Sequence, residues 1–138
     1  MSPKARKLIK IPAIVLVAYI AIVVLFETLL GFYQPANQSM MIITTYGESG
    51  EPHPRVVARL ESGEELYVAA NHWPRAWYRQ AIANPRIDVE GEGITGTYTA
   101  VPLAGAEFDR INAEHALGPI FRFITGFPPR RLLRLEPQ

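Results

Sequence analysis

Residues able to do chemistry concentrate in two stretches of this 138-residue chain. The first is the turn Gly47-Glu48-Ser49-Gly50 with the Glu51-Pro52-His53-Pro54-Arg55 run that follows it. Backbone N–H groups of such a turn, including that of Gly50, can hold an anionic oxygen together with the Ser49 hydroxyl. His53 or Arg55 can add positive charge from the next strand. The second stretch runs Ala69-Ala70-Asn71-His72-Trp73-Pro74-Arg75-Ala76-Trp77. A helix starting near Pro74 would add its dipole, and the Arg75 guanidinium, to an anion site. Ala70, Asn71, Trp73 and Trp77 are suited to line a flat cleft for an aromatic ring system. His72 titrates near neutrality and is the candidate proton donor to a ring carbonyl or a substrate oxygen. Each feature also has a plainer reading. The turn suits any hairpin, Arg75 and Arg79 suit a solvated helix face, Trp77 suits a core, and His72 suits a surface loop.

Other chemistries are poorly served. The chain has no cysteine, so it offers no thiol nucleophile, disulfide or Cys metal site. Its three histidines, His53, His72 and His115, are separated, and no metal site is expected. Beyond Glu27, ten arginines face twelve acids with no basic run, which disfavours a nucleic-acid partner.

The elements that must position these residues follow from periodicity. Met40–Tyr46 and Arg55–Leu60 read as strands rich in β-branched residues, and Pro52 and Pro54 restrict the second to an edge or an entry position. Glu61-Ser62-Gly63 reads as a turn into a third strand, Glu65–Ala70. A helix over about 75–83 presents Trp77, Tyr78, Ala81 and Ile82 on one face and stops at Asn84-Pro85. Arg86–Glu90 and Ile94–Val101 are strands around a Gly-Glu-Gly turn, with Gly96 a candidate bulge. Ala104–Leu117 reads as a helix, Phe127-Pro128-Pro129 as a rigid connector, and Arg131–Leu135 as a closing strand. Hairpin-like connections favour an antiparallel sheet, because parallel neighbours need a crossover each time.

Residues 11–33 hold one charge, Glu27, in 23 positions, enough to cross the ~30 Å apolar core of a bilayer. With the basic tail 1–10 (Lys4, Arg6, Lys7, Lys10), the reading is a transmembrane or membrane-anchor helix that contacts lipid, ahead of a domain over 38–138. A cleaved signal and a core or lipid-surface helix are the alternatives. The basic tail favours a cytoplasmic amino terminus, and so an outward-facing domain.

The strand, Asn-rich loop, Trp-Tyr helix, Ala-Asn-Pro stop and strand of VAANHWPRAWYRQAIANPRIDVE resembles the deazaflavin (F420)-dependent nitroreductase and quinone reductase family. The early IITTYGESGEPHPRVV and late LLRLEP stretches extend that resemblance over about residues 40–137. It implies an α+β split β-barrel of about six mostly antiparallel strands with flanking helices, as in pyridoxamine-phosphate-oxidase-like proteins, preceded here by the amino-terminal membrane helix. It also implies an enzyme binding F420, with FMN as the alternative, and passing hydride to a quinone-like or other apolar small molecule. The cofactor-binding set on this chain would be Ser49, Gly50, His53, Arg55, Ala70, Asn71, His72, Trp73, Arg75 and Trp77. F420 being intracellular, the resemblance implies a cytoplasmic domain, opposite to the orientation that the tail favours. Two departures stand out. Similar proteins carry basic residues in the turn that is acidic here, and the tyrosines often presented toward substrate are replaced by Phe121, Phe123 and Phe127. Both keep open a non-catalytic barrel that binds flavin, F420, haem or lipid, or a structural membrane module. Oligomeric state is not legible.

Overall fold

Strand β1 (Met40–Tyr46) buries Met41, Ile43 and Thr45 and leaves the residues between them half-covered, the alternation of a strand with one face on a core. The computed structural model describes residues 3–32, 40–71 and 76–138, and the side chains among them except those of residues 3–6 and 30–32. Two units emerge, one of residues 34–116 and 128–138, the other of residues 1–33 and 117–127.

In the first unit, β1 is followed by β2 (Pro52–Ala58), β3 (Leu60–Ser62), β4 (Glu65–Ala70), α2 (Ala76–Ala83), β5 (Arg86–Gly91), β6 (Ile94–Pro102), α3 (Gly105–Glu114) and β7 (Arg131–Pro137). The seven strands form one sheet in the order β2-β1-β5-β6-β7-β4-β3, antiparallel at every pairing. Strand β2, at one edge of that order, comes back beside β4, so the sheet curls into a half-barrel. This is the α+β architecture that the sequence predicts, with one strand more than the expected six.

The core lies inside the curl. Met41, Ile43, Val57, Leu66, Val68, Ile87, Val89, Leu133 and Leu135 meet Trp77 and Ala81 from α2 there. At ~25 cal/mol per Å² of buried apolar area, such a cluster is the main favourable term in folding. Strands β4 and β7 are buried on both faces, because α3 covers the outer side, where Tyr67, Ile111 and Leu132 form a second cluster. Above it, the Arg134 guanidinium donates to both Glu107 oxygens, at 2.5 and 2.7 Å, and to Glu136 at 2.7 Å. The Arg134 bonds hold the Glu107 carboxyl below the usual range. Burial, reinforced by a hydrogen bond to Glu65, pushes the Tyr67 hydroxyl up to about 12.

Local differences from the predicted elements have simple causes. Pro52 and Pro54 do lie on an edge strand, where a missing N–H costs no ladder bond. Leu60–Ser62 is a short strand paired with β4, where the sequence predicts the end of one strand and a turn. Gly96 is not a bulge: it pairs directly with Val89 in an unbroken register.

The second unit comprises α1 (Pro3–Phe32) and α4 (Pro119–Ile124). Helix α1 begins before the predicted boundary and runs through Pro12. Within it, Lys7–Leu29 is long and apolar enough to cross a membrane, and none of it is buried. Helix α4 has no counterpart among the predicted elements. It starts with Pro119 at its first turn and ends at Ile124, capped by Thr125 and followed by Gly126, whose φ of 79° is the left-handed closure that glycine adopts at least cost.

Candidate active site

A cavity of about 600 Å³ opens between the β1–β2 turn and helix α2. Tyr46, Gly47 and Glu48 form one wall, and Ala76, Arg79, Gln80, Ala83 and Asn84 the other. Helix and strand are joined beneath it. Trp77 and Ala81 bury into the core, and the buried Thr45 hydroxyl donates to Gln80 Oε1 at 2.7 Å. The Tyr46 hydroxyl is engaged as well, donating to Asp88, which also accepts from Thr97 at 2.8 Å. That bond raises the Tyr46 hydroxyl and lowers the Asp88 carboxyl. Arg86 lies over the Tyr46 ring, 5.0 Å from its centroid. Tyr46 is therefore a wall of the cleft and not a free proton donor.

The turn already holds an anion, and that anion belongs to the chain. Gly47 N–H donates to Glu51 O and Gly50 N–H to Gly47 O, each at 3.0 Å. Ser49 N–H donates to the Glu51 carboxylate at 3.0 Å. His53 Nε2 lies 3.6 Å from the other carboxylate oxygen and is buried without a hydrogen bond. The Glu51 N–H and His53, with Ser49, hold the Glu51 carboxyl below its usual range. The Ser49 N–H, with His53 beside it, is thus what this turn offers an anionic oxygen, whereas the Gly50 N–H, expected to share that role, is taken up by the Gly47 carbonyl of the hairpin. Ser49, Gly50, His53 and Arg55 are therefore brought together as a turn and the edge strand that leaves it. Arg55 is exposed, and none of the described carboxylates pairs with it.

At the end of β4, Ala70 is buried and Asn71 half-buried. Asn71 Oδ1 accepts from Arg130 Nε at 2.8 Å, and Arg130 Nη1 donates to Asn112 Oδ1 at 3.0 Å. Two carboxamides thus hold a half-buried guanidinium that has no carboxylate partner among the described residues. Burial alone lowers its pKa. Arg130 escapes sequence reasoning, because Pro129-Arg130-Arg131 offers no pattern that separates it from the exposed Arg131.

His72, Trp73 and Arg75 lie outside the described residues, as does Pro74. Trp77 is 6% exposed and packs edge-on to Tyr78, with a centroid separation of 6.1 Å. Its indole supports the cleft from beneath. His115 Nε2 is 3.0 Å from Glu61 O, so this histidine has a partner within the fold. Among the described residues, no cluster of His and carboxylates suits a metal ion. A second cavity of about 550 Å³ lies by β3, β4 and β7 and carries Glu61, Glu64, Glu65 and Glu136. Its arginines, Arg59 and Arg134, are already paired with Glu61 and Glu136, so it repels an anionic ligand.

The half-barrel recurs in solved structures. The haem storage protein HutZ from Vibrio cholerae is 17% identical at a TM-score of 0.59, over 74% of this chain and 83% of that one. The F420-H2 dependent reductase FDR-A is 22% identical at 0.57, over 75% and 99%. A haem binding protein from Mycobacterium smegmatis is 16% identical at 0.57, over 73% and 47%. These likenesses establish the shared split-barrel fold. No curated protein matches the chain. The model of the F420H(2)-dependent quinone reductase family matches residues 25–117, from the carboxyl end of α1 through the turn, the cleft and α3. A match over well more than half of its length makes the chain a member of the F420H(2)-dependent quinone reductase family, an enzyme with F420 as its cofactor and reduction as its chemistry.

Proposed function

We propose that this protein is a membrane-anchored reductase that passes hydride from reduced F420 to a quinone-like or other apolar acceptor. Residues 1–10 would be a basic tail on anionic lipid, 11–33 the anchor, and 38–138 the cofactor-binding domain. The observation that carries the reading is the cleft beside an anion-holding turn, because it supplies both a ring-sized space and a phosphate cradle.

The described residues fit the group in kind. Ser49 N–H and His53 would hold phosphate oxygens where they now hold Glu51. Arg55 and Arg79 would contribute charge, and Tyr46, Ala76 and Gln80 would face the ring. When bound, reduced F420 supplies a hydride, which with one proton from water converts a quinone to its hydroquinone. The chain's own work is to bind, orient and partly desolvate. His72 keeps its role as the candidate proton donor and, with Trp73 and Arg75, completes the proposed set. Since the Tyr46 hydroxyl is held in a hydrogen bond to Asp88, water protonates the acceptor more readily than this tyrosine does, which favours quinones over nitro compounds. A domain on the cytoplasmic side would meet F420 directly.

The test is full-length protein in vesicles, given reduced F420 and a long-tailed quinone, with cofactor oxidation followed by fluorescence. Saturable F420 binding with hydroquinone formation supports the reading. A preference for FMN overturns the cofactor assignment in this setting, and faster turnover of a soluble nitro compound overturns the acceptor. The seated Glu51 carboxylate favours one second reading, a barrel that binds cofactor without turnover. Binding with no hydroquinone from any quinone would select it.

A further inference from the structure

Helices α1 and α4 carry most of the large exposed apolar side chains. On α1, Ile14, Val17, Ile20, Ile22 and Leu25 are each more than half exposed. Between Lys7 and Leu29, only Tyr19, Val23, Phe26 and Glu27 are partly covered. Those positions are spaced i, i+4, i+7 and i+8, so they form one face. Helix α4 lies against it. The Tyr19 and Phe123 rings are 4.9 Å apart, and Phe26 meets Phe121 edge-on at 6.0 Å. At ~1.5 Å per residue, Tyr19 lies about 18 Å past Lys7, and Phe26 about 10 Å further. In a hydrocarbon core ~30 Å thick, α4 therefore flanks the carboxyl half of the span.

The backbone of α4 has the economy that lipid demands. In hydrocarbon, every carbonyl at a helix end must find a partner within the protein. Phe121 O accepts from Thr125 N–H at 3.0 Å and from the Thr125 hydroxyl at 2.9 Å. Arg122 O accepts from Phe127 N–H at 2.9 Å. Phe123 O accepts from Gly126 N–H at 3.2 Å and from the Tyr19 hydroxyl at 2.8 Å. The polar tip of a mid-span tyrosine and a carbonyl in the last turn of α4 thus satisfy each other. Meanwhile Ile120 is 75% exposed, and Phe123 and Phe127 are 55% exposed. The charge of α4, Arg122, sits over the Phe127 ring at 6.0 Å on a stem long enough to reach an interface.

We propose that Leu117–Phe127 is a second membrane-inserted element, a short helix in the acyl region of the leaflet beside the carboxyl half of α1. Ile120, Phe123 and Phe127 contact lipid tails. The inference rests on reading α1 as a span. It commits to lipid because the exposed face continues that of α1 and because the Phe121, Arg122 and Phe123 carbonyls find their partners within the protein.

The absence of cysteine makes the test direct. Single variants Val17→Cys, Ile120→Cys, Phe123→Cys and Glu64→Cys of the full chain are spin-labelled in phosphatidylcholine–phosphatidylglycerol vesicles. Collisional relaxation by oxygen, which concentrates in lipid, is compared with that by a water-soluble nickel chelate. Oxygen should dominate at 17, 120 and 123, and nickel at 64. Oxygen dominance at 17 with nickel dominance at both 120 and 123 would overturn the inference and leave the anchor intact. Nickel dominance at 17 as well would overturn both. Labels at 120 and 123 shielded from both reagents would mean that a second copy covers the face, and would also overturn it.

Discussion

The Glu51 carboxylate accepts the N–H of Ser49 and lies where any side chain on Gly47 would have to stand. One residue thus fills the concavity of the turn, and a side chain at its start would have to move that carboxylate aside. A ligand phosphate must displace that carboxylate, which can swing away on two flexible bonds, so the site is self-masked but not destroyed. Glu51→Gln keeps the shape and removes the charge. We expect it to tighten F420 binding several-fold, more at low than at high salt. Isothermal titration of both proteins at two ionic strengths checks this, and unchanged affinity at both would place the phosphate elsewhere.

Arg130 is the second lever. Its bonds to Asn71 and Asn112 tie the end of β4 and the start of β7 to α3. Arg130→Gln should lower unfolding free energy by about 2 kcal/mol, the scale of a lost charge-assisted bond with partners left behind. If the free edge of the guanidinium also meets an acidic part of the cofactor, F420 affinity drops while Arg130→Lys recovers part of it. Denaturant titration and cofactor titration of the pair separate the two effects.

Thr45→Val removes the hydroxyl that joins β1 to α2 under the cleft. The loss is about 1 kcal/mol, because Gln80 Oε1 then lacks its donor. Pairing it with Gln80→Met removes both polar partners and should restore much of that loss. A double-mutant cycle in chemical denaturation measures the recovery, and simple additivity would contradict the coupling.

The Tyr46–Asp88 pair sets a pH dependence at both ends. The Asp88 carboxyl is lowered, first by Tyr46 and then by Thr97, so its contribution is fully present above the unfolded carboxylate value of about 3.9. That contribution fades as pH falls through the lower folded value. The Tyr46 hydroxyl is raised, first by Asp88, so its contribution is present below about 10 and fades as pH climbs through the higher folded value. Asp88→Asn should flatten the acid limb of stability against pH and move the ultraviolet titration of one tyrosine downward. An unmoved tyrosine would sever the pair.

What the sequence made legible is what periodicity and punctuation encode. β-Branched content marks β1, alternation marks β5, Thr and Tyr content marks β6, the prolines mark β2 as an edge, and Asn84-Pro85 marks the end of α2, where Asn84 N–H still reaches Gln80 O at 2.7 Å. Three residues at 60–62 are too few to show a period, and the six residues at 119–124 are likewise too short a run to declare a helix by spacing. The turn itself was legible, yet its sequence points to Glu48 as the acid that matters, whereas Glu51 is the residue seated on the Ser49 N–H. Which neighbouring carboxylate folds back depends on side-chain torsions that no spacing records. Arg130 was hidden for a similar reason, since its environment is assembled from Asn71 and Asn112, far away in the chain.

The position of β7 between β6 and β4 also sets a schedule for synthesis. Until Arg131–Pro137 has left the ribosome, the β2-β1-β5-β6 ribbon and the β3-β4 hairpin have no strand to join them. Both would present open edges beside apolar faces, the arrangement most prone to pairing with another chain. The chain passes through that state on its way to the complete sheet, and the exposure lasts until β7 fills the gap between β6 and β4.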